Sequence, residues 1–331
     1  MLNSKRLVFV LFSISLLLVF ANIFTKEEKS GNVPDEETET SGFVIDSIFT
    51  STLNEFSIKG ERIKKRKSPY KNMDSLQYSY TITLPSDLPI VSVLYYLKQN
   101  FDDQKIELFC REKKLNADSE IEIKSGNNIK LFAEIIINKN EFREFGNFSI
   151  YLTGVEKLET SERNILLKNS DPYSFILSPT QKSADITKEI TESNKNFILL
   201  LTDAKVDDNF QLKTDFSNQR LLISIKNIVA NFRKNPNILI DINSDLYNSI
   251  SYIYIEKEFR KRGFKILPIN SFVRIDQMTD EESISIFKQR IDNFGKTGSE
   301  VFILRSESYT NLNKTIFEFK KRGVKYTLPI N

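Results

Sequence analysis

The stretch Phe259-Arg260-Lys261-Arg262-Gly263-Phe264-Lys265, closed by Leu267-Pro268-Ile269-Asn270, decides the fold because the chain uses it twice. It returns as Phe319-Lys320-Lys321-Arg322-Gly323-Val324-Lys325, closed by Leu328-Pro329-Ile330-Asn331. Each copy puts basic residues where a helix ends, so that they complement its dipole, and then a glycine free to take the left-handed cap. An apolar run follows the glycine, as a strand following a helix should.

Working outward, the same rhythm extends back to about Gly146. Short apolar runs lie at Phe148–Thr153, Tyr173–Leu177, Phe197–Leu201, Ile238–Ile242, Phe264–Ile269, Val301–Leu304 and Val324–Ile330. They are nearly continuous in Ile, Val, Leu and Phe, which suits strands covered on both faces. Amphipathic stretches begin near Thr180, Ser217, Leu246, Thr279 and Tyr309, and Thr279 with Glu282 has the spacing of a capping box. Strands alternating with helices predict a parallel sheet with right-handed crossovers. The expectation is an α/β fold over residues 146–331, an irregular (β/α) barrel of about seven strands, with an open sheet as the alternative. Ligands would then meet the C-terminal ends of the strands. Those ends carry Thr153, Ser178, Thr202, Asp203, Asn243, Asp245, Asn270 and Arg305.

Upstream, residues 43–145 read as a small α+β domain. Asp46 is placed to cap a helix bearing Ile48, Phe49, Leu53 and Phe56; Leu76–Leu84 alternates as a strand; a helix is expected over Leu88–Phe101. Strand-like runs follow near Lys105–Arg111, Glu120–Lys124 and Ile129–Ile137. Lys59, Arg62, Lys64, Lys65, Arg66, Lys67 and Lys71 form a basic run, read as a solvated loop or as a contact for anionic lipid or polymer. Further back, Lys5 and Arg6 precede the apolar stretch Leu7–Phe24, which as a helix would rise about 27 Å, near the thickness of a bilayer core. Residues 1–25 are therefore read as a signal anchor, with a cleaved signal peptide as the alternative, and 26–42 as an acidic linker. That reading puts the chain in the inner membrane as a single-pass protein with an extracytoplasmic body.

The 331 residues carry a net charge of +3, which does not suggest a nucleic-acid partner. Histidine is absent from the whole chain. Ser-His and Cys-His pairs, imidazole bases and His-ligated metals are thereby excluded. Cys110 is the only cysteine, so no intrachain disulfide forms; alternating with Ile106 and Leu108, it is expected to be a buried structural thiol.

The order and spacing of these segments resemble the divergent polysaccharide deacetylase family, whose deformed barrel is related to carbohydrate esterases. The resemblance implies a zinc-dependent hydrolase site, and the chain departs from it at each motif. Where the family's first strand ends in paired aspartates, this one ends in Thr153 and Gly154. The stretch Phe197-Ile198-Leu199-Leu200-Leu201-Thr202-Asp203 has leucine where the family has histidine. Asn243 lies near a second histidine position and Arg305 at a third. The resemblance therefore implies a family member without the metal-binding motifs and without catalysis, with no cofactor. Asp203, Asn243, Asp245 and Arg305 are its candidate contacts for an envelope polysaccharide or peptidoglycan. Two alternatives stand beside it: a site of oxygen ligands for Mg²⁺, Mn²⁺ or Ca²⁺ built from Asp203, Asp207, Asp208, Asp241 and Asp245, and a purely structural interaction module.

Overall fold

The computed structural model describes residues 39–68, 78–101, 106–113, 118–143, 145–202, 207–233, 237–293 and 297–329. The chain divides into two compact units. The first holds the residues up to Thr52 with Lys59–Leu84 and Ile90–Ile137; the second holds Leu53–Ile58, Pro85–Pro89 and Asn138–Asn331.

In the first unit, helix α1 (Gly42–Glu55) is followed by strands β1 (Ile63–Lys67) and β2 (Tyr78–Pro85) and helix α2 (Ile90–Phe101). Strands β3 (Ile106–Glu112), β4 (Ser119–Ser125) and β5 (Asn128–Asn138) complete a five-stranded sheet of order β1-β2-β5-β4-β3. Val93, Leu97 and Phe101 recur every four residues and bury one face of α2. Ile45 and Phe49 do the same on α1, with the Phe49 ring 5.5 Å from that of Tyr80. Asp46 is not the cap it was expected to be. It lies a turn inside α1, where its carboxylate accepts hydrogen bonds from the Tyr78 and Tyr80 hydroxyls; burial, and then the bond to Asp46, raises the Tyr80 pKa. The basic run is not simply a loop either: Ile63–Lys67 is an edge strand paired antiparallel to β2.

Two further expectations need correction. Cys110 is exposed, because β3 is the last strand of the sheet and overhangs the core. Its thiol pKa is nonetheless raised, by partial burial and then by the charge of Glu112, so it remains a poor nucleophile. The inner-membrane, single-pass location is also overturned: among the described residues no helix is long and apolar enough to cross a membrane. The stretch Leu7–Phe24 on which that reading rested lies outside the described residues.

The second unit is the α/β body. Its strands are β6 (Asn147–Thr153), β7 (Tyr173–Leu177), β8 (Asn196–Leu201), β9 (Asn237–Ile240), β10 (Lys265–Pro268), β11 (Val273–Arg274), β12 (Ser299–Arg305) and β13 (Lys325–Tyr326). Between them run α3 (Thr160–Lys168), α4 (Gln181–Glu192), α5 (Asn218–Asn231), α6 (Ile250–Lys261), α7 (Asp280–Asp292) and α8 (Tyr309–Arg322). The strand order is β10-β9-β8-β7-β6-β12-β11, with β13 added to β6, and the pairings are parallel.

This sheet cannot be flat. Its two edge strands, β10 and β11, are consecutive in the chain, and the five Cα steps from Pro268 to Val273 reach at most about 18 Å. Seven strands laid side by side would hold those edges about 29 Å apart. The sheet therefore curls into a half-barrel.

The period of two along each strand then sorts side chains between two cores. Phe148, Ile150 and Leu152 of β6, with Phe175, Leu199, Ile238 and Phe302 of its neighbours, pack outward against the helices. Tyr151, Ile176, Ile198, Leu239 and Ile303 point inward and, with Ile269, fill the barrel. The repeated helix ends behave as the sequence requires. Gly263 and Gly323 both have positive φ, +82° and +105°, and a Cβ on Gly323 would meet the Phe145 ring at 2.9 Å.

Candidate functional site

Two residues beyond each inward core position, the strands reach their C-terminal ends, and the next inward side chains line the mouth of the barrel. Tyr151 is followed in this way by Thr153, Ile176 by Ser178, Ile198 by Leu200, and Ile303 by Arg305. Thr153, Ser178, Leu200 and Arg305 line one cleft of about 300 Å³, joined by Gly154, Glu156, Lys157, Asp276 and Glu307.

Guanidinium–carboxylate pairs dominate the polar chemistry of the mouth. Arg305 donates from one terminal nitrogen to Asp280 Oδ1 at 3.1 Å and to the Met278 carbonyl at 3.2 Å. Asp280 also accepts from Ser308 and Asn311, and these bonds, with the nearby Arg305 charge, hold its carboxyl below the usual carboxylate range. Arg274 grips Asp276 with two bonds, Nε to Oδ1 at 3.2 Å and a terminal nitrogen to Oδ2 at 3.1 Å, and lies 3.8 Å from Asp241 Oδ2. Asp241 follows the inward parity of β9 past Leu239. It accepts from the Asn243 backbone N–H and from Asn270 Nδ2; these bonds and Arg274 lower its pKa. One acceptor in the lining is left over: Glu156 Oε2 is buried with no hydrogen-bond partner among the described residues.

The sequence candidates do not all meet here. Arg305 lines the cleft. Asn243 and Asp245 are exposed in the turn after β9 and are not part of its lining; Asp245 is not the cap of α6, whose N-cap is Ser249. Asp203 lies outside the described residues. Asp207 instead accepts from the Gln181 backbone, and the Asp208 carbonyl accepts from Arg220. Among the described residues no three of His, Cys, Asp and Glu gather as a metal site.

A zinc ion of the kind the sequence resemblance implies does not fit the residues present. The chain has no imidazole, the inward hydroxyls of Thr153 and Ser178 are poor zinc ligands, and Asp241 and Asp276 already face Arg274. A divalent cation would have to displace one guanidinium and sit beside another.

Solved structures similar to this chain in fold include polysaccharide deacetylases and carbohydrate esterases. The polysaccharide deacetylase of Bacillus cereus is 11% identical, with a TM-score of 0.37 over 56% of this chain and 93% of its own. A family 4 carbohydrate esterase of Streptococcus mutans is also 11% identical, with a TM-score of 0.38 over 56% of this chain and 87% of its own. The peptidoglycan deacetylase Bd3279 of Bdellovibrio bacteriovorus is 11% identical, with a TM-score of 0.37 over 72% of this chain and 69% of its own. The likeness is one of fold alone. No family model matches the chain, and no curated protein sequence does.

Sequence reasoning missed Arg274, Asp276, Glu156 and Lys157. Inward parity along β6, β7, β9 and β12 would have selected Thr153, Ser178, Asp241 and Arg305 as one ring. Arg274 and Asp276 had no such signal, because β11 is only two residues long.

Proposed function

We propose that residues 146–331 form a catalytically inactive, deacetylase-like domain that binds polysaccharide at the mouth of its half-barrel. The observation that carries this reading is the lining of the cleft. Arg305, held on Asp280, and Asp276, held by Arg274, line it together with the hydroxyls of Thr153 and Ser178. Sugars offer many hydroxyls that donate and accept at once, so a ring of oriented donors and acceptors suits them. Deacetylation would additionally need water activated by a metal and a group of suitable pKa to move its proton. Here Arg274 occupies the carboxylates that a metal would need.

The test uses the full chain with insoluble peptidoglycan, the polymer named for the Bdellovibrio enzyme. The chain is expected to co-sediment with the polymer and to release no acetate from it, with or without added Zn²⁺. Acetate release above buffer, or failure to co-sediment, overturns the reading.

A further inference from the structure

The two edges of the five-stranded sheet differ in kind. Edge strand β1 reads Ile63-Lys64-Lys65-Arg66-Lys67, and its four basic residues are exposed. Consecutive cations on an edge repel a second copy of that edge, a common protection against unwanted strand pairing. Edge strand β3 reads Ile106-Glu107-Leu108-Phe109-Cys110-Arg111-Glu112 and has no such guard. Phe109 is 48% exposed, Cys110 is exposed, and Ile106 and Leu108 are only partly covered.

The direction of its backbone follows from the ladder with β4. The register pairs Arg111 with Glu120 and Phe109 with Glu122, and just beyond it the Lys113 N–H donates to the Asp118 carbonyl at 2.8 Å. In an antiparallel pair, hydrogen-bonded positions alternate, so Arg111, Phe109 and Glu107 bond to β4. Ile106, Leu108, Cys110 and Glu112 therefore aim their N–H and C=O groups at the side of β3 that no described strand covers.

We propose that this edge pairs with the same edge of a second copy, antiparallel, about a two-fold axis at Phe109. Only one axis position unites three features of the strand. Leu108 falls opposite Cys110 of the second copy, both with outward backbone groups, giving hydrogen-bonded pairs on either side of the axis. Phe109 falls opposite its own equivalent at a non-hydrogen-bonded position, where side chains come closest. Glu107 falls opposite Arg111 on the same face as Phe109, so that the dimer gains two opposite-charge pairs. The result is a ten-stranded continuous sheet with a small interface, and hence a weak, concentration-dependent dimer.

The experiment measures molar mass by sedimentation of the full chain over a concentration series, together with oxidative cross-linking of single-cysteine variants. A monomer–dimer equilibrium is expected. Phe109→Cys in a Cys110→Ser background should cross-link to a dimer, since facing Cα atoms at such positions are about 4.5 Å apart. Glu112→Cys in the same background should not, because its equivalents would stand about 20 Å apart. Glu107→Arg creates two like-charge pairs across the seam and should weaken association about tenfold. A monomer at every concentration, a dimer that cross-links through position 112, or a dimer indifferent to Glu107→Arg overturns the proposal.

Discussion

Replacing Arg305 with methionine separates a ligand contact from a structural tie. In the fold, Arg305 gives one terminal nitrogen to Asp280 and to the Met278 carbonyl, and the pair is open to solvent, with the two side chains 42% and 41% exposed. A pair of that exposure is worth about 0–1 kcal/mol. Asp280 keeps its bonds from Ser308 and Asn311, so no buried charge is stranded. For a unit of this size the melting temperature should fall by no more than roughly 2–4 °C. A hydrogen bond from a guanidinium to a bound sugar contributes about 1.5–3 kcal/mol, so binding to peptidoglycan should weaken roughly 10- to 100-fold. Arg305→Lys, which keeps the charge and loses the planar fork, should lie between. The assay pairs a sedimentation isotherm on peptidoglycan with calorimetry on the same sample. Unchanged binding refutes the role given to Arg305, and so does a loss of several kcal/mol of stability, which would make the residue structural.

Two other outcomes follow from packing and charge. Phe287 is fully buried, with its ring 4.7 Å from Phe302, 5.2 Å from Phe148 and 6.0 Å from Phe319, so Phe287→Ala should cost about 3–5 kcal/mol. A denaturant midpoint close to wild type would show that the helix α7 contact is dispensable. Asp241 has a folded pKa below its unfolded one, so its contribution is present above about pH 4 and is lost as the pH falls through the folded value. Asp241→Asn should flatten the acid side of the stability–pH curve, and an unchanged slope there would remove the Asn243–Asp241–Arg274 arrangement from the account.

What the sequence made legible was whatever repeats. The continuous apolar strands, the capping box at Thr279 and Glu282, and the two Gly-terminated helices follow from short-range rules, and the structure has them. Helix α3 escaped because its apolar residues Ile165, Leu166 and Leu167 are adjacent rather than spaced by a turn. Its N-cap, Glu159, makes no side-chain bond, and Ile165 is left exposed. Cys110 alternates correctly with Ile106 and Leu108, yet alternation cannot tell that its strand is the last in the sheet. At the mouth, Arg305 reads in the sequence as a strand-end residue, and the structure places it in the cleft lining. Asn243 and Asp245 were chosen for nearness to a strand end, and the turn there carries them out to solvent.

That same geometry explains how a barrel mouth without any imidazole can stay ordered. The interior is closed by Tyr151, Ile176, Ile198, Leu239 and Ile303, one layer below the mouth, and the helices pack on the opposite face of the same strands. The inward polar tips Thr153, Ser178 and Arg305 belong to neither layer, so their chemistry can change without opening a cavity beneath them. What must be conserved at the tips is charge balance. Carboxylates left facing one another raise each other's pKa, and a bound cation is one remedy. Arg274 between Asp241 and Asp276, and Arg305 on Asp280, supply that cation from the chain itself. A guanidinium satisfies a carboxylate through directed hydrogen bonds and has no vacant coordination position for water to enter. These pairs keep the mouth polar and ordered, with each carboxylate held by a guanidinium of the same chain.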